Sequence, residues 1–524
     1  MTLPVFKASN FVNLDSSHIN FSQKATTGIL QPEQAAPPEE HPEPRRLHSR
    51  PKILEQEMPE EWIVQQIEPL DIPDKQIKLS PSPSPNETHQ GIPNAIRKGA
   101  PDTAPPDTHG TVGHRYIYEV TNQWIQIYDQ DGSNNYYMTL NQYWDIFSGI
   151  DAFDPKMVYD PLEKRWIFVS MGNAESKSSC LLIGVTKTSD PTEDWACVRI
   201  PVDKSYGAWL DYPSVGFCKD KIVVQTNMYS IKGGKFSGSA LYVFDKQVFY
   251  NPPYGASFSL IVNLSSTGIG ATQCPAITLD PGQTINYLVS TFNSNTLAVF
   301  QVTGNIKDKN LEFKLSGGIR SELGSWAGRA SSENSAPQKG TDKKVNTGDS
   351  RMQNVVFRNG TLWLTHTIFL PANSPSRSSI QWFQINPANA QILQQGRLDD
   401  PAGKIFYAFP SIAVNKQDDF LIGFSRFSKK TYPSAAYAYH GHKDPAGTIR
   451  SPYVFKDGKA SYYKTLSGDE NRWGDYSSTV IDPGNNLNFW TVQEYSYGKR
   501  PFTPIGPGFG PDLWGTWWAK VSPD

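Results

Sequence analysis

Six stretches of this sequence follow one pattern. Each opens on a small, aromatic or Pro/Ser-containing step, runs as an alternating apolar strand, reverses at a tight turn and returns as a second, aromatic-rich strand. The copies read "FDPKMVYDPLEKRWIFVSM" from Phe153, "YPSVGFCKDKIVVQTNMY" from Tyr212, "CPAITLDPGQTINYLVSTF" from Cys274, "SRMQNVVFRNGTLWLTHT" from Ser350, "FPSIAVNKQDDFLIGFSRF" from Phe409 and "YSSTVIDPGNNLNFWTVQEY" from Tyr476. Their starts lie about 60 to 75 residues apart, and two further strand-like runs follow each pair, as in "ALYVFDK" and "SFSLIVNL". Four strands per unit at this period is the signature of a propeller blade, because one such unit cannot bury its apolar faces alone. The expectation is an all-β fold, a β-propeller of seven blades, with six as the alternative. "GTVGHRYIYEVTNQWIQIYDQDG" (110–132) and "LWGTWWAKV" (513–521) supply further strands, so the chain ends are expected to meet in one shared blade that closes the ring.

Residues 1–108 differ from the propeller domain assigned to 109–524. "QPEQAAPPEEHPEPRRLHSRP" and "LSPSPSPNETHQGIPNAIRKGAPDTAPPD" are rich in Pro, Glu and Ser and lack apolar periodicity. They predict an extended or disordered arm, either a linker or a segment that orders on a partner subunit, with "EEWIVQQIEPLDI" (60–72) as its one apolar anchor. No run of apolar residues is long enough for a transmembrane helix, and the first residues lack the basic and apolar regions of a secretory signal. A net charge of −2 gives no footprint for nucleic acid. Cys180 and Cys197 could face each other across a hairpin, as a disulfide or as two thiols.

The turns after the inner strands, such as "DPLEK" and "DPGNN", are short, whereas the links into those strands are long and varied. Long loops on one end of a rigid scaffold are where binding or chemistry gathers. Residues just before each inner strand should ring the channel mouth: Asp154, Asp211, Gln273, Asp349, Arg351, Arg472, Trp473 and Asp475. Such a ring could hold calcium through carboxylate oxygens, do two-carboxylate acid–base work, or lock blades together by Arg–Asp pairs. Asp211, Asp475 and the HxH pair His440 and His442 are the candidate metal ligands. His366 reads as a core histidine, and "DQDGSNN" (129–135) as a hairpin turn.

"GTVGHRYIYEVTN", "DPKMVYDPLEKRW", "LDYPSVGF", "GDSRMQNVVFRNGTLW" and "RWGDYSSTVIDPGNNLNFW" together resemble the bacterial sialidase-like (BNR-type) β-propellers. The resemblance spans roughly 108–522 and implies an extracellular or surface location. The Asp box and FRIP-type motif of true sialidases are missing, and Glu494 and Tyr495 are adjacent on one strand, so their side chains leave on opposite faces. The expected function is therefore non-catalytic: a propeller that binds carbohydrate or protein on its loop-rich face, tethered by the N-terminal arm. The alternatives are a glycan-active enzyme, hydrolase or lyase, at the channel mouth, and a structural subunit of an assembly.

Overall fold

The computed structural model describes residues 5–7, 10–27, 57–66, 79–94, 104–133, 135–264, 271–332, 334–465, 469–499 and 511–524. The chain is an all-β propeller with few and short helices. Among the described residues no helix is long and apolar enough to cross a membrane.

Each repeat copy folds into an antiparallel meander. Counting the unit from His109 to Thr139 as the first, the second copy, which holds Phe153, runs Ala152–Asp160, Arg165–Gly172, Cys180–Thr186 and Asp194–Pro201. The first copy begins with a four-residue inner strand, His109–Val112, which the sequence did not reveal. Five sheets of four or five strands stand alone, rather than the expected seven or six. The copies that begin at Tyr212 and Ser350 belong instead to one ten-stranded sheet. Its bridge is the short strand Ile277–Thr278, which pairs in parallel with Phe217 on one side and Val356 on the other. Gly216 permits this approach, since a Cβ there would stand 2.4 Å from the Ala276 carbonyl oxygen.

Apolar side chains fill the spaces between successive copies. Tyr118 and Ile125 of the first pack with Phe168 and Trp195 of the second. Ile117 and Tyr128 of the first also pack with Trp490 and Trp518 of the last, which closes the ring.

The leader supplies outer strands to this ring. Val5–Lys7 pairs with Glu312–Arg320, Asn10–Asp15 with Gly255–Leu264, Ser17–Asn20 with Asp194–Pro201, and Thr26–Thr27 with Tyr136–Thr139. Ile63 of the 60–72 patch, and Met58 just ahead of it, are buried beside Leu315 of the same chain; 67–72 lie outside the described residues. Glu87–Pro93 then pairs with Asp512–Val521 and completes the last sheet. Each pairing covers backbone that would otherwise be an open edge.

All four cysteines are buried and free. Cys180 lies opposite Pro201 and Cys197 opposite Gly184, so the register keeps the two apart and no disulfide joins them. "DQDGSNN" joins two antiparallel strands, Trp124–Asp129 and Tyr136–Thr139. His366 is buried, with Nδ1 3.0 Å from the Ser350 carbonyl and its ring edge-on to Trp326.

Candidate functional site

Inner strands break at one recurrent position. The pairing slips between Phe153 and Lys156, between Asp211 and Ser214, and between Ala408 and Ser411. At each slip a non-glycine residue takes a left-handed backbone, Asp154 (φ 51°), Tyr212 (φ 51°) and Phe409 (φ 55°), and a proline follows it. Asp107 (φ 49°) is left-handed in the same way ahead of the first inner strand. This conformation costs on the order of 1–3 kcal/mol per residue, and such strain is typically kept where it positions functional groups. At Asp107, Asp154 and Tyr212 it brings the residues into one hydrogen-bonded cluster, whereas the Phe409 ring packs in the core beside Trp473.

A relay of hydrogen bonds joins these bulges. Asn122 donates to Asp107 (2.7 Å) and to the Pro105 carbonyl (3.0 Å), while its own carbonyl accepts the Asp154 N–H (2.7 Å). Asp154 Oδ2 accepts the Tyr212 N–H (3.1 Å), and Asp107 Oδ1 accepts the Asp475 N–H (2.8 Å). Gln353 Nε2 donates to the Asp475 carbonyl (3.1 Å) and to the Tyr212 hydroxyl (3.3 Å).

Cations fill the spaces between the acids. Arg472 pairs with Asp475 at 3.0 Å. Arg351 forms a two-pronged pair with Asp349 (2.8 and 2.7 Å) and lies 4.1 Å over the Tyr212 ring. Lys156 Nζ stands 3.1 Å from the centre of the Tyr476 ring. Glu494 closes the inner side, accepting the Thr108 N–H at 3.4 Å. Gly474 lets it in, because a Cβ there would come within 2.7 Å of its carboxylate.

Enclosure separates the ionisation of these groups. Burial, then the charges of Asp475 and Asp154, hold the Asp107 carboxyl well above the usual carboxylate range, although Arg472 and Asn122 pull the other way. Burial and Asp107 likewise push Glu494 up. Burial brings the Lys156 ammonium down to about 7 against the pull of nearby acids. Burial lowers Arg472, but Asp475 and Glu470 outweigh it and leave the guanidinium above its ordinary value.

Of the residues expected at the mouth, Asp154, Arg472 and Asp475 come together, and the Asp349–Arg351 pair joins them through Tyr212. Asp211 sits in the paired part of its strand opposite Asn227, and Tyr212 carries that repeat's side chain into the cluster instead. Gln273 is buried and accepts from Ser239 Oγ at 3.0 Å. Trp473 packs behind the mouth, edge-on to Tyr462 at 4.8 Å, and donates to Ser425 Oγ. The candidate metal ligands do not converge. His440 stacks on Phe420, whereas His442 Nδ1 lies 2.7 Å from Asp419. No group of three or more His, Cys, Asp or Glu residues suited to a metal occurs among the described residues. Sequence reasoning missed Asp107, Asn122 and Lys156. Asp107 had a signal, since it stands just ahead of His109, where the first inner strand begins.

Together these observations define an all-β propeller whose inner-strand bulges gather a buried cluster of carboxylates and cations. No protein-family model and no curated protein matches the chain, so the sialidase-like family expected from its motifs finds no sequence-level match. Similar solved structures include the α-L-arabinofuranosidase Arb93A from Fusarium graminearum, in complex with an iminosugar inhibitor, at 8% identity and TM-score 0.38 over 70% of this chain and 92% of that one. The phage phi92 endosialidase is 10% identical with TM-score 0.35, over 70% and 66%. An ACO/RPE65 chimera is 10% identical with TM-score 0.39, over 70% and 80%. Likenesses this distant carry no functional argument, which rests on the chain's own residues.

Proposed function

We propose that this protein is a glycan-active enzyme that hydrolyses a glycosidic bond at the channel mouth. One observation carries the reading: two carboxylates of one hydrogen-bonded cluster sit in opposed environments. Asp107 is enclosed and its carboxyl is held well above the usual carboxylate range, whereas Asp475 is ion-paired with Arg472 and keeps part of its side chain open. Such a division suits a proton donor to the leaving oxygen and a carboxylate that acts as base or nucleophile. Asp107 takes the first role and Asp475 the second. Lys156 and Arg351, each over an aromatic ring, fix the positions of Tyr476 and Tyr212 around them.

We also read the leader as part of this domain rather than as a separate tether, because its described strands pair with the propeller's own edges. Taking the ten-stranded sheet as two fused blades would give a ring of seven units. The support is that the Tyr212 and Ser350 copies each keep an antiparallel meander of their own.

The test is a screen of chromogenic glycosides and polysaccharides with wild type and Asp107→Asn. Turnover by the wild type, reduced about 100-fold or more in the variant, is the expected result. Glycan binding without turnover in the wild type would sink the hydrolase reading and return the protein to the class of carbohydrate-binding propellers.

A further inference from the structure

Positive charge gathers on one part of the loop-rich end. The whole chain is nearly balanced, with 49 Lys and Arg against 51 Asp and Glu. Three loops of the Ser350, Phe409 and Tyr476 copies depart from that balance. The hairpin loop 337–344 carries Lys339, Lys343 and Lys344, the turn 429–430 carries Lys429 and Lys430, and the link 457–477 carries Lys459. All six side chains are exposed, and none forms an ion pair among the described residues. The exposed acids on the same loops are Asp342, Asp457 and Asp469. Two of the loops lead toward inner strands and the third joins a second strand to a third, so all open on the same end of the ring.

Hydrogen bonds join these loops into one surface. The Lys339 N–H donates to the Thr431 carbonyl at 3.1 Å, which sets the hairpin loop against the turn. Gln338 Oε1 accepts the Tyr462 N–H (2.7 Å) and Ser434 Oγ accepts the Gly458 N–H (3.1 Å), which sets the link against both. Half-buried tyrosines lie between the cations. Lys339 Nζ stands 5.3 Å from the centre of the Tyr432 ring, Lys343 Nζ 5.0 Å from Tyr463 and Lys459 Nζ 5.0 Å from Tyr497. Each ring steadies an ammonium whose side chain stays exposed, which lowers the entropy lost when an anion pairs with it. The cations are close enough to repel: burial, then the charge of Lys459, brings the Lys456 ammonium down to about 8.

We propose that this surface binds an acidic polysaccharide, whose carboxylate or sulfate groups pair with the lysines in turn. Lysine is a compact point charge on a flexible stem and meets either anion without demanding a fixed angle of approach. A single-stranded nucleic acid fits less well, because its bases stack on open aromatic faces and these half-buried rings lie under ammonium groups. The binding surface stands on these loops alone and does not depend on the hydrolase reading.

Titration calorimetry on the full chain tests this with polygalacturonate, heparin, neutral dextran and oligothymidylate, at about 50 and about 200 mM salt. Polygalacturonate, heparin or both should bind and dextran should not, and affinity should fall about tenfold or more at the higher salt. Which of the two binds tells carboxylate from sulfate. Lys343→Gln with Lys459→Gln should weaken binding about five- to tenfold at the lower salt, with the melting temperature near wild type. Lys307→Gln with Lys309→Gln makes the same charge change on the turn between Thr296–Thr303 and Glu312–Arg320, at the opposite end of the ring, and should leave binding intact. Absence of binding to either polyanion, dextran that binds as tightly, a Lys343/Lys459 variant that binds like wild type, or an equal loss in the Lys307/Lys309 variant overturns the proposal. Oligothymidylate that binds more tightly than both polysaccharides overturns it in favour of nucleic acid. Turnover enters none of these readouts, so their failure leaves the hydrolase reading standing, and a failed glycoside screen leaves this surface standing.

Discussion

Lys246→Met should destabilise the propeller by about 3 kcal/mol, and Asp160→Asn placed in the same chain should restore most of that loss. Lys246 opens the short helix Lys246–Tyr250, and Asp160 ends the inner strand Ala152–Asp160 of the preceding copy. Their charged atoms meet at 2.5 Å, and neither side chain has exposed surface. Lys246 also donates to the Cys218 carbonyl at 2.9 Å. Methionine keeps the stem and removes the charge, leaving an uncompensated buried carboxylate. Breaking one side of a buried pair costs about 3–5 kcal/mol. The lower end applies here, because Asp160 still accepts the Leu162 N–H (3.1 Å), the Glu163 N–H (3.4 Å) and the Tyr250 hydroxyl (3.2 Å). For 524 residues melting as one unit, the unfolding entropy is about 1.1 kcal/mol/K, so the melting temperature should fall by roughly 3 °C. Urea titration and calorimetry on wild type, both single variants and the double variant complete the cycle. A Lys246→Met loss below about 1 kcal/mol, or a double variant no more stable than that single, would refute the reasoning.

Two further outcomes are expected. Phe21→Ala in the leader removes a fully buried ring that packs on Tyr118 and Tyr143, and should cost about 3–5 kcal/mol by urea titration; a near-neutral result would mean the leader contributes no core. Asp107 and Glu494 have folded pKa values above their unfolded ones, so the stability they lend is complete below about pH 4 and is lost as pH rises through the raised values. Melting temperature should therefore decline less between pH 4 and 7 in Asp107→Asn than in wild type, and parallel curves would show that Asp107 is not held protonated.

The strand grammar was legible because each repeat writes its inner strand, tight turn and aromatic return in contiguous sequence. The sheet count was not, because the bridge through Ile277–Thr278 depends on how closely separate repeats approach one another. Arg472 and Asp475 were found from their place ahead of an inner strand. Asp107 escaped because the strand it precedes is only four residues long. Lys156 escaped because it reads as an ordinary polar position, while the rings of Tyr212 and Tyr476 that enclose it come from distant repeats. The leader's composition concealed strands of two to seven residues, whose order depends on partner edges elsewhere in the chain.

The pairing of Glu87–Pro93 with Asp512–Val521 also has a consequence for how the molecule is made. Thr516 donates to the Ile92 carbonyl across 424 residues of sequence. On the ribosome, the earlier strand emerges long before its partner exists, so it must wait without a mate while the intervening blades assemble. Contacts of such long range slow folding, and an edge left open in the interval invites pairing with another chain. Synthesis of Asp512–Val521, rather than formation of any single blade, then sets the moment at which the ring can shut.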